Sequence, residues 1–195
     1  DRPGYTHLMA KQFPALLPEH VHFIARQHVF FTASATAESR INISPREASA
    51  LRVLGPNAVC YLDQTGSGAE TSAHLRADGR LTLMLCSFEK APLIMRLYGH
   101  GTSLFRGSAA YRTLLDGAFA GEEAPGARQI VRLEVAMVQT SCGYGVPFFD
   151  FVAERAQLKT WAAAQGPEGV AAYRSRKNLA SIDGLPTGFP AEAAE

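Results

Sequence analysis

No stretch of the chain is apolar for the roughly 18–20 residues that a membrane-spanning helix needs. Its most apolar runs, such as Leu81 to Cys86, have the length of strands. Cysteine is scarce, with three in 195 residues. Cys60, Cys86 and Cys142 lie inside apolar runs without CxxC spacing. An odd number so placed excludes a disulfide framework and reads as small core residues of a reducing, cytoplasmic compartment. An excess of one charge is missing too. Lys and Arg total 19 against 18 Asp and Glu, for a net charge of +1. That balance excludes a nucleic-acid binder or a membrane-surface protein drawn by bulk charge. Asp1-Arg2-Pro3-Gly4 lacks the apolar core of a signal peptide, so no leader is expected, and the missing Met reads as trimming.

Motifs are absent as well. There is no GxxxxGK[ST] loop, no GxGxxG, and no HExxH. Gly66-Ser67-Gly68 is not a GxSxG nucleophile elbow. His20 and His22 sit two apart, a spacing that sends them to different faces of a helix. His7, His28, His74 and His100 are scattered. No metal site is expected, and no residue stands out as a general acid, base or nucleophile.

What is present is the composition of a folded protein, 47% hydrophobic and 19% charged. The expected organisation is a single domain over 1–195, with a helical C-terminal extension at 150–184 and a tail at 185–195. Pro18 opens a helix that runs to about Gln27. Strands are expected at Val29 to Ser34, at Ile41 to Ser44 (stopped by Pro45), and at Ala58 to Asp63. Gly55-Pro56-Asn57 borders the third of these. Thr65 to Gly68 is a turn, and Ala69 to Ala77 a short helix. Arg80 to Phe88 and Leu93 to Leu104 are strands around a hairpin-length loop. Ser108 caps a helix that ends near Phe119. Gln129 to Thr140 is a long strand whose alternation sends Ile130, Arg132 and Glu134 one way and Val131, Leu133 and Val135 the other. Two helices follow, Phe151 to Ala164 and Pro167 to Lys177, split at Gly166-Pro167. The links between strands are too short for crossover helices, which favours an antiparallel barrel flanked by helices.

Thr65-Gly66-Ser67-Gly68-Ala69-Glu70-Thr71 follows a strand and opens a helix. Small residues there let backbone N–H groups approach an anion, and the helix start favours negative charge. Two readings stand open. In one, Arg40 with the Ser67 and Thr71 hydroxyls holds a phosphate. In the other the turn is simply capped, with Glu70 as a capping-box carboxylate. At the end of the long strand, the small residues from Thr140 to Pro147 either leave room for a flat ligand or another backbone or form a plain loop after the last strand.

Several segments together resemble one family. They are Arg40-Ile41-Asn42-Ile43-Ser44-Pro45, then Cys60-Tyr61-Leu62-Asp63, then Gly66 to Leu75 and Gly79 to Met84. Leu97-Tyr98-Gly99 and Gln139 to Pro147 add to them. The chain is identified by these as similar to the pyridoxamine 5′-phosphate oxidase-like proteins, in a bacterial branch apart from the namesake oxidase. The resemblance implies a mainly β fold, the six-stranded antiparallel split β-barrel that binds FMN at the interface of a homodimer. It implies an FMN-dependent oxidoreductase that moves a hydride to or from a small-molecule substrate. A non-catalytic flavin- or heme-binding protein, or a reductase using the deazaflavin F420, are the alternatives. Carried over position by position, the cofactor contacts are Arg40, Ile41, Asn42, Ile43 and Ser44 on one strand and Tyr61 and Leu62 on the next. Ser67, Glu70 and Thr71 follow on the turn, with Arg96 and Ser141 beyond, Arg96 reaching from the partner subunit. Glu70 and Thr71 stand where the namesake oxidase has a basic pair for phosphate. The C-terminus lacks that oxidase's Trp- and Arg-containing segment, so its vitamin substrate is not expected here. Arg176-Lys177-Asn178 reads as a solvated helix end or as a phosphate clamp.

Overall fold

The computed structural model describes residues 10–190. The opening tetrapeptide, His7 and the last five residues of the tail lie outside the described residues. The elements in chain order are β1 (Lys11–Phe13), α1 (Pro18–Ala25), β2 (Val29–Ser34), β3 (Asn42–Glu47), a 3-10 turn (Ala48–Ala50), β4 (Leu51–Gly55), β5 (Ala58–Gln64), α2 (Glu70–Ala77), β6 (Arg80–Cys86), β7 (Ile94–Phe105), α3 (Ala109–Ala118), β8 (Ala127–Ser141) and α4 (Gln157–Lys177).

Every strand pairing is antiparallel. The order across the sheet is β3-β2-β6-β7-β8-β5-β4, with the short β1 added on β8. The fold is the split β-barrel, a curled antiparallel sheet with helices around it. Its main path has seven strands rather than six, because Leu51–Gly55 is itself a strand. Gly55-Pro56-Asn57 is therefore the turn of a β4–β5 hairpin, with Gly55 paired to Ala58.

The alternation of β8 decides the layers. Val131, Leu133 and Val135 join Phe30, Val59, Leu83, Leu85, Met95 and Leu97 in the interior. On the other face Ile130 packs with Cys60 against Tyr111, Leu115 and Phe119 of α3 and its end. Arg132 and Glu134, further along that face, pair with each other in solvent. Each large apolar side chain sealed inside stabilises the fold by about 1.5–3 kcal/mol. Ser108 caps α3 by accepting the Tyr111 N–H at 3.2 Å.

Two expectations are corrected. Pro45 does not stop its strand. It pairs with Phe31 on β3, which is the edge strand, so the missing N–H deprives no neighbour of a bond. Residues 151–156 are not helical. Phe151 is stacked face to face on His28, with centroids 3.8 Å apart and planes 4° off parallel. That contact lays the segment along the barrel until α4 begins at Gln157. The break at Gly166 is present as a kink, with φ of 66° in a region that suits glycine. No helix among the described residues is long and apolar enough to cross a membrane.

β7 and β8 pair over twelve registered positions, interrupted by a shift between Tyr98 and Gly99. A Cβ on Gly99 would fall 1.8 Å from the Glu134 carbonyl oxygen, which is backbone and cannot swing aside. Gly99→Ala therefore costs about 2–3 kcal/mol or more, read as a lower urea midpoint with an unchanged slope.

Candidate functional site

The continuation of β3 past Pro45 carries a fourth polar position onto one face of that strand. Arg40, Asn42, Ser44 and Arg46 occupy alternate positions, while Ile41 and Ile43 point outward at 74% and 65% exposure. Asn42 Nδ2 donates to Thr71 Oγ1 at 3.2 Å, tying β3 to the first turn of α2. Arg46 reaches inward and its Nη1 donates to Asp63 Oδ1.

Asp63 is the charged centre of this region. Its side chain is 1% exposed, and so is almost wholly out of water. Arg128 Nε and Gln129 Nε2 both donate to its Oδ2 at 2.8 Å. Burial by itself raises a carboxyl pKa. Here Arg128 and then Arg46 outweigh that effect, with the Gln129 amide, and hold Asp63 below its ordinary value and ionised. Two guanidinium groups thus share one carboxylate, which leaves one positive charge in surplus.

Arg128 also fixes the turn after β5. Its Nη1 donates to the Gly68 carbonyl at 2.9 Å and to Asn178 Oδ1 at 3.0 Å. Asn178 Nδ2 donates to the Gly66 carbonyl at 3.1 Å. Arg174 Nε donates to Thr65 Oγ1 at 2.8 Å. The end of α4 is therefore built into the turn, and of the cluster Arg176-Lys177-Asn178 only Asn178 is buried.

A cavity of about 380 Å³ opens beside this turn, lined among others by Asn42, Ser44, Arg46, Ser67, Glu70 and Thr71. Arg46 Nε is buried and makes no hydrogen bond among the described residues. Gln64, whose side chain also lines the cavity, has its Oε1 buried near Gly126 and likewise unpartnered. Its amide nitrogen donates to Glu47 Oε1 at 3.0 Å, which fixes the oxygen as the free end. A second cavity of about 460 Å³ shares Pro45, Arg46, Gln64 and Leu158 with the first and runs to the His28–Phe151 stack. Buried donors and acceptors without partners are costly, about 1–3 kcal/mol each, and a ligand carrying complementary groups recovers that.

Of the residues expected from sequence, Asn42, Ser44, Ser67, Glu70 and Thr71 come together on this cavity. Others do not line it. Arg40 is turned to the C-terminal segment, where its backbone N–H donates to Asp183 Oδ2 at 2.8 Å and its guanidinium to Oδ1. Ile41 and Ile43 face outward because strand alternation opposes them to Asn42 and Ser44. Tyr61 is a core residue, corrected by the same alternation: its ring packs edge-on to Phe30 at 5.4 Å and lies 5.6 Å beneath the Arg46 guanidinium. Leu62 lines the second cavity. Arg96 and Ser141 meet each other across β7 and β8 at 3.4 Å, apart from this cavity. Glu70 does not form a capping box. α2 has no side-chain cap, and both Glu70 oxygens accept the Ile182 N–H, at 3.2 and 3.0 Å.

Arg46 was not among the sequence candidates. Its signal was the i, i+2, i+4 alternation of Asn42, Ser44 and Arg46, cut short by reading Pro45 as a stop. Cys60 and Cys86 stay out of this chemistry. Burial pushes the Cys60 thiol up to about 12 and raises that of Cys86.

The family model for pyridoxamine 5′-phosphate oxidase matches residues 16–142. A pyridoxamine 5′-phosphate oxidase family protein, ustO, of the fungus Aspergillus flavus is 37% identical over 177 residues, covering 83% of this chain and 71% of that protein. Among solved structures, a single-substitution form of HupZ from Group A Streptococcus superposes with a TM-score of 0.51 at 16% identity, over 63% of this chain and 96% of that one. A putative pyridoxamine 5′-phosphate oxidase from Lactobacillus delbrueckii gives 0.51 at 18% identity, over 65% and 94%. At these identities the two structures support the fold alone.

Removing the shared carboxylate has a defined cost. Asp63→Asn leaves Arg46 and Arg128 without their counter-charge and lowers stability at neutral pH by about 3–5 kcal/mol. The native pKa of Asp63 is depressed, so its stabilisation is full above the unfolded value near about 3.9 and is lost as pH falls through the lower native value. Urea unfolding of the wild type therefore weakens steeply below about pH 4, and the D63N variant shows a flatter dependence there.

Proposed function

The chain belongs to the pyridoxamine 5′-phosphate oxidase family, and on that premise we propose that it is an FMN-dependent oxidoreductase acting as a homodimer. The FMN phosphate enters the cavity under β3 and the β5–α2 turn, and a small-molecule substrate exchanges a hydride with the flavin. The observation that carries this reading is the cavity itself, where Arg46 and Arg128, which share the Asp63 carboxylate, stand with Ser67 and Thr71 on one lining, and where Arg46 Nε has no hydrogen-bond partner among the described residues.

The donors present suit a phosphate. Arg46 supplies a charge-assisted hydrogen bond, and Ser67 and Thr71 supply hydroxyls on the same wall. Glu70, standing where the namesake oxidase has part of its basic pair, is occupied by the Ile182 N–H. Arg46 from the strand thus takes over the role that the basic pair has there. Gln64 and Leu158 line both cavities and stand at their junction, where the ring would pass. Bound FMN supplies a ring that accepts or returns a hydride; the protein's part is to hold it, orient it and keep water away. Ile41 and Ile43, exposed on the edge strand, give a second copy an apolar surface to cover. Arg96 and Ser141 of the partner subunit complete the site in that dimer.

The test is a flavin titration followed by fluorescence quenching. The wild type takes up FMN at micromolar concentration and turns yellow. Arg46→Ala weakens FMN binding by about 1.5–3 kcal/mol. Arg40→Ala, which releases a guanidinium already held by Asp183, weakens it less. A colourless protein that binds no added FMN, or one that instead gives a Soret band with heme, overturns the reading.

A further inference from the structure

The C-terminal segment after α4 does more than cover the barrel. Asn178 is fully buried and uses its whole side chain on the β5–α2 turn: Nδ2 donates to the Gly66 carbonyl and Oδ1 accepts from Arg128, which itself donates to the Gly68 carbonyl. The Asn178 backbone is held in turn. Its N–H donates to the Arg174 carbonyl at 2.8 Å, and its carbonyl accepts from Thr187 Oγ1 at 2.6 Å. Thr187 is also fully buried, and its own carbonyl accepts from Ser72 Oγ of α2 at 3.0 Å. Phe189 then packs edge-on to Phe105 at 5.0 Å with the Arg128 guanidinium 5.4 Å from its ring. Further out, Ile182 and Asp183 take up Glu70 and Arg40. This strap is thus stitched to the turn, to α2 and to β3.

A trans peptide carries its N–H opposite its carbonyl, and the described chain has no cis peptide. The Gly66 carbonyl shares its peptide with the Ser67 N–H, and the Gly68 carbonyl with the Ala69 N–H. Fixing those two carbonyls on Asn178 and Arg128 therefore fixes the two N–H groups pointing away from the strap. Ser67 and Ala69 both line the cavity. The same strap holds the Glu70 carboxylate on the Ile182 N–H.

We propose that Asn178 is a positioning residue for the phosphoryl group of the ligand, acting through the turn: it orients the Ser67 and Ala69 N–H groups, and the strap that carries it keeps Glu70 engaged. This rests on the FMN reading above and deepens it by assigning phosphate selectivity to the C-terminal segment.

The experiment compares FMN with riboflavin, the same ring system without phosphate. Both are titrated into wild type, Asn178→Ala and Thr187→Val, at a temperature where near-ultraviolet circular dichroism finds each protein folded. The wild type prefers FMN. Asn178→Ala loses about tenfold in FMN affinity, the scale of one charge-assisted hydrogen bond, and keeps its riboflavin affinity. Thr187→Val, which frees the Asn178 carbonyl and touches neither the turn nor Arg128, shifts the ratio in the same direction by less. It also supplies the answer if Asn178→Ala does not fold. Equal losses for the two flavins, or no loss for FMN, overturn the positioning role while leaving the FMN reading intact. A wild type without preference for the phosphorylated flavin overturns the phosphate site and this inference together.

Discussion

A carboxylate withdrawn from water is stable only if its charge and its lone pairs are all answered, and Asp63 has that from three side chains on two elements. Arg46 comes from the edge strand, Arg128 and Gln129 from the long strand on the other side of β5. The ion cluster therefore joins β3 to β8 across a part of the barrel where the two are not hydrogen-bonded neighbours. The cost of burying three charges is offset by mutual pairing, and the arrangement leaves a surplus positive charge on one side. Arg46 and Arg128 both line the cavity, as does the Glu70 carboxylate held by the Ile182 N–H. In the proposed reading, the same interaction that closes the fold here supplies the cation of the anion site.

Much of the barrel was legible because its signal is local alternation. The faces of β8 followed from residues 130–135, and the caps and turns around α3 and the β6–β7 loop followed from Ser108 and Pro92. β4 was harder. Leu51 to Gly55 is a short edge strand whose apolar positions rest on the core while Arg52 bends back to carbonyls at Ser49, Leu51 and Ala118. Five residues carry too little period to separate from a loop. Pro45 misled for a reason that depends on topology: proline ends a central strand but not an edge strand, and which strand is the edge is a property of the whole sheet.

The site was half legible. The turn at Gly66 to Thr71 announced itself by small residues before a helix. Arg46 did not, since it lay behind Pro45. The buried partners of the turn could not be read at all, because Arg128, Arg174 and Asn178 are between 60 and 112 positions away in the chain from the groups they hold. Nothing in a local window links Gly66 to Asn178. The pairing of Arg40 with Asp183 spans 143 positions and is of the same kind. The net charge of +1 does not conflict with the proposed reading, because a phosphate needs only one or two placed cations in an otherwise balanced chain.

In the proposed site Arg46 is the cation that meets the phosphate, and Asp63 places it. A crystal structure of the protein soaked with FMN tests it most directly. The phosphate is expected against the Ser67–Thr71 turn, with one oxygen about 2.7–3.0 Å from a nitrogen of the Arg46 guanidinium and the Arg40–Asp183 pair undisturbed. A phosphate bound to Arg40 with Asp183 displaced, or a flavin whose phosphate lies away from Arg46, would contradict it.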